Sequence, residues 1–566
     1  MLSMRGLHWF WLAAAILAGT LLFLEFSVDV ATPSLWSDIV LALDLALVFG
    51  FVGYVIQCAL VERDHFVAFA IREKVNLLLS GFVIAVIFVP RLAAAIVITR
   101  LVVAGVFESL RTKMGKQIVS NINLRPSQTL ALSFIGLILL GTILLMFPAA
   151  TIDGRGTPFI DALFTVTSAA CVVGLSVLNI GTYFSFFGQG VILFCMQVGG
   201  LGIMVLSAAF FIMVSGAISR RHQAGFNQVL DVSSTEGLRA LVAAVAGATF
   251  VVEFLGAAVL FFSWGDKVNG FSEKLWWSIF HAVSAFCNSG LGLAQDSLSQ
   301  WVSNPYVCVT IMILIIIGGI GFFVIADLFD PKVWQVKKPT AVWQRLQLQT
   351  KVVLVTTVVL NLAGMLIFLF VEYDGAMQGL GIGSKILASM FQSVTLRTAG
   401  FFSVPHGQLA GPTIIFCMVW MFIGASPGST GGGIKTTTAA VAVMAVRAML
   451  RGRDEVDLFG RKIPPVVVNR ALSIIFIAMS ILIVFISLLL GTQNLPFERL
   501  CFEAFSALGT VGLTMDLTPH LDTTGRILII ALMYIGRIGP LTMAMAIGET
   551  QQMQIFRYPE GRLVVG

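Results

Sequence analysis

The segment FEAFSALGTVGLT, residues 502–514, occurs in three further versions when the sequence is aligned on one glycine. The other versions are FTVTSAACVVGLS (164–176), FHAVSAFCNSGLG (280–292) and MFQSVTLRTAGFF (390–402), and the shared glycines are Gly174, Gly290, Gly400 and Gly512. Three versions carry Phe ten residues before the glycine and Ser-Ala six and five residues before it, and Leu or Phe follows the glycine in all four. A recurrence in near-constant register predicts a chain built from four structural repeats.

Each version lies between two long apolar runs. The segment itself is too short to cross a hydrocarbon core of about 30 Å, so we expect it to enter the membrane as a short helix and turn back. Non-helical backbone at that depth needs a protein-lined or water-filled cavity, which four such turns around one axis would supply. The sequence therefore predicts an all-α integral membrane protein with four M1–pore loop–M2 repeats that form a pseudo-fourfold pore. The long helices are expected at 127–149, 238–264, 351–371 and 470–490 before the turns, and at 187–217, 305–329, 411–450 and 526–548 after them.

The composition supports a membrane protein and excludes several other classes. Of the 566 residues 58% are hydrophobic and 11% are charged, against about 25% charged in soluble chains. The seven cysteines form no C-x-x-C pair, and no nucleophile elbow, H-E-x-x-H motif or paired catalytic carboxylates occur. We therefore expect no enzyme and no cofactor in this chain. The net charge of +6 needs no nucleic acid, because cytoplasmic loops of membrane proteins collect Lys and Arg.

The apolar runs divide the chain into a leading module and four repeats. About four further spans are expected before residue 110, at 8–26, 38–60, 74–90 and 91–110, and the first of them is expected to be an uncleaved span. Basic linkers between the repeats place those linkers in the cytoplasm, so the glycine turns open to the outside. The predicted divisions are 1–123 (N-terminal transmembrane module and basic linker), 124–222, 223–335 and 336–452 (repeats 1 to 3) and 453–566 (repeat 4 and C-terminal tail).

The repeated turn has the chemistry of a cation filter. A cation in the membrane needs oxygen ligands in place of its water, and backbone carbonyls aimed at an axis supply them. Glycine permits the backbone angles of such a turn, and the C-terminal end of the preceding short helix favours positive charge. The predicted filter residues are Val172, Val173, Gly174, Asn288, Ser289, Gly290, Thr398, Ala399, Gly400, Thr510, Val511 and Gly512.

The run IGASPGSTGGGIKTTTAAV, residues 423–441, interrupts the apolar stretch 411–450. As one helix that stretch would extend about 60 Å, twice the apolar thickness of a bilayer, so it must break. The run is not a Walker A loop, because Ile434 separates Gly433 from Lys435. A flexible polar loop at mid-membrane, just below the glycine turns, predicts a gate at 425–433. The expected gate residues are Gly424, Ala425, Ser426, Pro427, Gly428, Ser429, Thr430, Gly431, Gly432, Gly433 and Lys435.

Two charged residues fall inside predicted spans. Arg537 stands beside Gly536 in the last helix, and a charge at that depth is a functional candidate. We expect it to limit conduction, with a structural pairing to backbone carbonyls or an acid as the alternative. Glu253, within ATFVVEFLGAA, is interpreted either as a proton or sodium coupling site or as a hydrogen-bonded acid that packs helices.

The segments GTVGLT, RTAGF and SAFCNSG, with QVGGLGI, GGIGFFVIADL and GASPGSTGGGIKTTT, resemble the Trk/Ktr/HKT superfamily of potassium transporters, pore-forming subunits of the bacterial Ktr or Trk type. The resemblance covers residues 124–550 and implies K⁺ uptake through a channel-like pore with an interrupted second helix in the third repeat. It further implies a multi-pass homodimer in the bacterial inner (cytoplasmic) membrane that binds a cytoplasmic ring of nucleotide-binding regulatory subunits. In the family an Arg at the position of Arg537 is an electrostatic barrier or a partner of the gate loop.

Glycine at all four aligned positions is associated in that family with K⁺ as the transported ion. The sequence departs from the pattern at Val173, where Thr is common, and after Phe401, where a polar residue is common. Both departures leave carbonyl ligation intact and concern the preference between K⁺ and Na⁺. The alternatives are a Na⁺-conducting or Na⁺/H⁺-coupled cation transporter, or a secondary transporter of another solute.

Overall fold

The computed structural model describes residues 126–218, 235–335, 339–453 and 455–539. The predicted N-terminal module, the C-terminal tail beyond residue 539 and the basic linker at 219–222 lie outside these residues. The chain divides into two compact units, and one of them comprises Arg125–Met146 and Thr157–Gly566. In the other unit the described residues are 147–156, with a 3₁₀ turn at Pro148–Ala150. All further description concerns the first unit.

The chain of the first unit is helical, and its described helices follow one another as the apolar runs predict. The helices of the first two predicted repeats are α1 (Pro126–Leu145), α2 (Phe159–Ala170), α3 (Ile180–Tyr183), α4 (Phe186–Ile218), α5 (Thr235–Ser263), α6 (Phe271–Phe286), α7 (Pro305–Ile320) and α8 (Phe322–Leu328). The long helices α1, α4, α5 and α7 alternate with the short helices α2 and α6, which end four residues before Gly174 and Gly290.

The second half of the chain repeats this order. Its elements are α9 (Pro331–Trp334), α10 (Pro339–Arg345), α11 (Leu348–Val371), α12 (Ile382–Thr395), α13 (Gly411–Phe422), α14 (Thr436–Leu450), β1 (Asp457–Leu458), β2 (Arg461–Lys462), α15 (Pro465–Thr492), α16 (Phe497–Gly509) and α17 (Thr523–Ile538). Strands β1 and β2 form a two-stranded antiparallel hairpin in which Asp457 pairs with Lys462. The predicted break of the stretch 411–450 is present between α13 and α14.

Several helices are long and apolar enough to cross a membrane. Within the described residues these are Ala244–Ser263 of α5, Leu348–Val371 and Pro465–Thr492, and the bent pair α7 and α8 is a fourth if it counts as one span. Large apolar side chains face outward on these helices; Phe254, Phe370 and Phe476 are each more than 70% exposed. Such a surface is stable only against lipid.

Polar side chains fix the ends of the spans at the boundary with loops. Asn304 accepts hydrogen bonds from the amides of Tyr306 and Val307 at the start of α7, and Asp522 accepts one from the Gly525 amide at 2.7 Å at the start of α17. Asp327 accepts from Thr350 Oγ1 at 2.6 Å and from the Gln347 amide at 3.0 Å at the start of α11. These contacts satisfy amides that have no partner within the helix.

One predicted helix is wrong. The run 305–329 was expected to form a single helix, but α7 and α8 meet at an angle of 98°. The break falls at Gly321, whose φ of +91° suits glycine and disfavours other residues. The amide of Phe322 donates to the carbonyl of Gly428 at 3.0 Å, so the freed backbone finds its partner in the 425–433 loop rather than within the helix.

Candidate ion-conducting site

The four shared glycines pack against one another. A side-chain carbon added to Gly290 would lie 2.5 Å from the Cα of Gly400, and one added to Gly400 would lie 2.9 Å from the Cα of Gly290. A carbon added to Gly512 would lie 2.8 Å from the Cα of Gly174. The structure thus brings together residues that stand more than 100 positions apart in sequence, and leaves no space for a larger residue at any of them.

Carbonyl oxygens complete the contacts between the turns. The carbonyl oxygen of the residue before each glycine lies close to the glycine of a neighbouring turn. A Cβ atom on that glycine would lie less than 3.0 Å from this oxygen and would collide with it. The approach runs in one direction around the four turns and closes between the fourth and the first. The pairs are Ser289 O with Gly174, Ala399 O with Gly290, Val511 O with Gly400 and Val173 O with Gly512.

The four turns share one backbone conformation. The residue two before each glycine has a positive φ, and so does the glycine itself. For a β-branched residue such a φ is an outlier, and outliers of this kind cluster at functional sites because the surrounding structure must hold them. The values are 53° at Val172, 59° at Asn288, 62° at Thr398 and 53° at Thr510, with 105°, 72°, 77° and 90° at the glycines that follow.

A serine in the short helix holds the turn in place. Ser168 Oγ accepts a hydrogen bond from the Gly174 amide at 3.0 Å, and Ser506 Oγ accepts one from the Gly512 amide at 3.0 Å. In the second turn Ser284 Oγ instead donates to the carbonyl of Leu291 at 2.6 Å. These are the serines six residues before the glycine in the sequence pattern, so the pattern has a structural cause.

The third turn is one residue shorter between its hydrogen-bonding side chain and its glycine: Thr395 stands five residues before Gly400, and Ser284 stands six residues before Gly290. Thr395 Oγ1 donates to the carbonyl of Phe401, as Ser284 does to Leu291, and the Ala399 amide donates to the Thr395 carbonyl. Phe391 and Thr395 therefore correspond to Phe280 and Ser284, with one residue missing after them. The gap-free alignment of the four segments concealed this correspondence.

The 425–433 loop lies against the third and fourth turns, at the threonines two residues before Gly400 and Gly512. A carbon added to Gly431 would collide with Thr398 Oγ1, and one added to Gly432 would collide with Thr510 Oγ1. The Gly432 amide donates to Thr510 Oγ1 at 3.0 Å. Glycine is required at both positions because the loop backbone touches the threonines directly.

The loop also provides hydrogen bonds to the end of α7. The Ser426 amide donates to the Gly319 carbonyl at 3.0 Å, and the Thr430 amide donates to the Gly318 carbonyl at 3.2 Å. Thr430 Oγ1 donates to the same Gly318 carbonyl at 3.2 Å. The loop therefore satisfies carbonyls at the C-terminal end of α7 that have no partner within that helix.

The remaining predicted gate residues stabilise the loop itself. The Gly424 amide donates to the Ile434 carbonyl at 2.9 Å and the Ala425 amide to the Gly432 carbonyl at 3.3 Å. Further contacts within the loop and its flanks are Ser426 Oγ with Thr436 Oγ1, Ser429 Oγ with the Ser426 carbonyl, Lys435 Nζ with the Gly431 carbonyl, and the Cα of Gly433 against Gly424. The carbonyl of Pro427 lies against Gly321 at the break between α7 and α8.

Arg537 connects the loop to α4. Its Nη1 donates to the Thr430 carbonyl and its Nη2 donates to the Gly199 carbonyl at 2.7 Å, and the residue is 3% exposed. Both contacts of the Arg537 guanidinium are with backbone carbonyls, and one of these carbonyls, that of Thr430, belongs to the 425–433 loop. The structure therefore places a buried guanidinium directly against the 425–433 loop.

Glu253 has the contacts of an acid that packs helices. Its Oε2 accepts from Gln197 Nε2 at 3.1 Å, which joins α5 to α4, and both side chains line a cavity of about 760 Å³. The interpretation as a coupling site stays untested.

The site as a whole offers oxygen atoms and few other polar groups. The carbonyl before each shared glycine lies against the glycine of a neighbouring turn, and Ser289 Oγ and Thr398 Oγ1 have no hydrogen-bond partner among the described residues. In the described part of the chain no group of three or more His, Cys, Asp or Glu side chains is placed to hold a metal ion. A set of backbone carbonyl and hydroxyl oxygens suits a weakly hydrated monovalent cation.

The fold is that of a helical membrane protein in which the four glycine turns pack against one another. Residues 91–558 match the family described as TrkH, cation transport protein, and the chain belongs to this family. It is 38% identical over 450 residues to the potassium/sodium uptake protein NtpJ of Enterococcus hirae, covering 78% of this chain and 98% of that protein. It is also 38% identical over 457 residues to the Ktr system potassium uptake protein B of Bacillus subtilis, covering 80% and 100%.

A solved structure supports the same fold. The potassium transporter TrkH from Vibrio parahaemolyticus matches with a TM-score of 0.63 at 16% identity, over 84% of this chain and 97% of that one. The likeness shows a shared helical membrane fold. The chain is therefore a multi-pass membrane protein of a cation transport family.

Proposed function

We propose that this protein takes up K⁺ across the cell membrane through a channel-like pore. The observation that carries the proposal is the closed arrangement of the four glycine turns, in which carbonyls of Val173, Ser289, Ala399 and Val511 approach the neighbouring glycines. Four helix–short helix–turn–helix repeats around one pseudo-fourfold axis account for this arrangement, with the filter at the twelve residues named above. The two relatives named as potassium uptake proteins support K⁺ as the ion.

The 425–433 loop is the proposed gate. It lies directly under Thr398 and Thr510, and Arg537 holds it through the Thr430 carbonyl. In this position the loop blocks the path below the turns, and Arg537 adds an electrostatic barrier to the passage of a cation. Movement of the loop away from the threonines opens the path.

Conduction of Na⁺ is the second candidate. The relative from Enterococcus hirae is named a potassium/sodium uptake protein, and Val173 stands where a threonine is common in the family. We further propose that the chain acts as a homodimer with a cytoplasmic nucleotide-binding regulatory ring, as the family resemblance implies. The boundaries of the four repeats and of the N-terminal module are part of the same proposal.

Flux into proteoliposomes tests the proposal. The purified protein, reconstituted with an inside-negative potential, should take up ⁸⁶Rb⁺, and K⁺ should compete with it more effectively than Na⁺. Gly290→Asp places a side chain against the Gly400 Cα and should abolish uptake, whereas Gly411→Ala, at a position with nothing within 4 Å, should leave it unchanged. Deletion of 426–432 should leave an open, leaky pore. Equal uptake by wild type and Gly290→Asp would show that the turns are not the filter.

A further inference from the structure

A second set of equivalent residues lies behind the glycine turns. In each short helix the residue after the aligned phenylalanine is polar, and all four are fully buried. Placing the one-residue gap of the third segment after Thr395, as the hydrogen bonds of Thr395 and Ser284 indicate, brings them into register. They are Thr165 after Phe164, His281 after Phe280, Gln392 after Phe391 and Glu503 after Phe502.

In the second and third repeats these side chains contact the chain that leaves the turn. Gln392 Nε2 donates to the Val404 carbonyl at 2.8 Å, four residues after Gly400. A carbon added to Gly292, two residues after Gly290, would lie 3.3 Å from His281 Nε2. Gln392 makes its contact with a neutral amide, whereas His281 Nε2 lies beside Gly292 and has no hydrogen-bond partner among the described residues.

In the fourth repeat the same position holds a carboxyl group. Thr514 Oγ1 donates to Glu503 Oε2 at 2.8 Å, and Thr518 Oγ1 donates to Glu503 Oε1. Thr514 Oγ1 in turn accepts from the Leu517 amide at 3.2 Å. The carboxyl group therefore organises the segment 514–518, which starts two residues after Gly512.

Glu503 is a fully buried acid with no basic partner among the ion pairs of the described residues, and Asp516 in the same segment is a second acid close to it. The hydrogen-bond partners of Glu503 in the described part of the chain are two hydroxyl groups. In its ionised form, which the two hydroxyl donors favour, such a carboxylate keeps its field in a medium of low dielectric constant. Because Thr514 is two residues from Gly512, the carboxylate lies on the order of 10 Å from that glycine, given about 3.3 Å per extended residue.

We propose that Glu503 is a specificity-determining and positioning residue of the outer pore: it holds the segment after the fourth turn and supplies a negative charge that raises the local concentration of K⁺ there. The proposal rests on the proposed function. The proposal about Glu503 goes beyond the proposed function because it gives the fourth repeat a charged residue in the outer pore. The other three repeats have Thr165, His281 and Gln392 at the same position.

The dependence of ⁸⁶Rb⁺ flux on ion concentration tests the proposal. Glu503→Gln keeps the shape and the hydrogen-bonding capacity, because threonine hydroxyls also accept, but it removes the charge. We expect the half-saturating concentration to rise by about tenfold, the order expected for a unit charge ~10 Å from the ion at an effective dielectric constant of about 20, with the maximal flux within about twofold. Gln392→Ala, which removes a neutral contact at the equivalent position, should lower the maximal flux and leave half-saturation unchanged.

The outcomes separate the two proposals. Absence of flux in the wild type would refute the proposed function. With wild-type flux present, an unchanged half-saturation in Glu503→Gln, or a shift of the same size in Gln392→Ala, would overturn the role of Glu503 and leave the proposed function standing. Should Glu503→Gln not yield a monodisperse protein, Glu503→Asp retains the charge one carbon further away, and a fall in maximal flux alone in that variant would likewise overturn the role.

Discussion

Substitution of Gly431 by alanine should open the proposed gate. An added Cβ would overlap Thr398 Oγ1 and would lie 2.6 Å from the Cβ of Ala425. Both atoms belong to well-packed surroundings, so the loop has to move away from the turns to accommodate the methyl group. The substitution therefore penalises the loop position seen in the structure and does not penalise a position in which the loop has left Thr398.

The size of the effect follows from the cost of overpacking. An extra methyl in a packed interior costs about 1–3 kcal/mol, and about 1.36 kcal/mol corresponds to a tenfold change in an equilibrium. The open population of Gly431→Ala should therefore rise by about five- to 150-fold. Flux in the absence of any regulatory subunit should increase by the same factor until the open state dominates.

The assay is ⁸⁶Rb⁺ uptake into proteoliposomes at equal amounts of monodisperse protein. Gly411→Ala serves as the control, since a carbon there meets nothing within 4 Å. Because the overlap is with Thr398 Oγ1, the double variant Gly431→Ala with Thr398→Ala should return flux toward that of Thr398→Ala alone. Unchanged or lower flux in Gly431→Ala, with the control normal, would refute the assignment of the loop as the gate.

Three further variants test other contacts. Arg537→Ala removes the hydrogen bonds to the Thr430 and Gly199 carbonyls; at about 1.5–3 kcal/mol for a charged donor, K⁺ flux into vesicles should rise more than tenfold, and reduced flux from intact protein would contradict this. Ser506→Ala removes the acceptor of the Gly512 amide; at about 1 kcal/mol the ratio of K⁺ to Na⁺ flux should fall about fivefold, whereas an unchanged ratio would show that the tether does not shape the filter. Asp327→Ala removes the acceptor of Thr350 Oγ1 and the Gln347 amide and should lower the thermal unfolding temperature in detergent without changing the K⁺ to Na⁺ ratio.

The spans and the turns could be predicted because their causes are local in sequence. Apolar length gave α11 at 348–371 against an expected 351–371, and α15 at 465–492 against 470–490. The excessive length of 411–450, with Pro427 and the glycines inside it, required a break, and the break is there. The repetition of Gly174, Gly290, Gly400 and Gly512 predicted four turns around one axis, and in the structure the four glycines lie in contact with one another.

The rest depended on contacts that sequence patterns do not encode. The motifs GGLG (199–202) and GGIG (318–321) are almost identical, yet α4 continues through the first and α7 ends at the second. The difference is the Gly428 carbonyl, which accepts from the Phe322 amide only where the loop meets the broken helix. The positive φ of Val172 and Thr510 could not be predicted from the sequence either, because β-branched residues disfavour that conformation unless tertiary contacts impose it.

The two breaks, at 423–435 and at Gly321, have one energetic cause. Amides of Ser426 and Thr430 satisfy the carbonyls of Gly319 and Gly318, so neither break leaves these backbone groups without a partner at membrane depth, where each would be costly. In the proposed gating, movement of the loop away from the turns would give up these hydrogen bonds, each with a net value of about 0.5–1.5 kcal/mol, and would leave the C-terminal carbonyls of α7 without these partners. Such carbonyls carry the partial negative charge of a helix end and favour a cation.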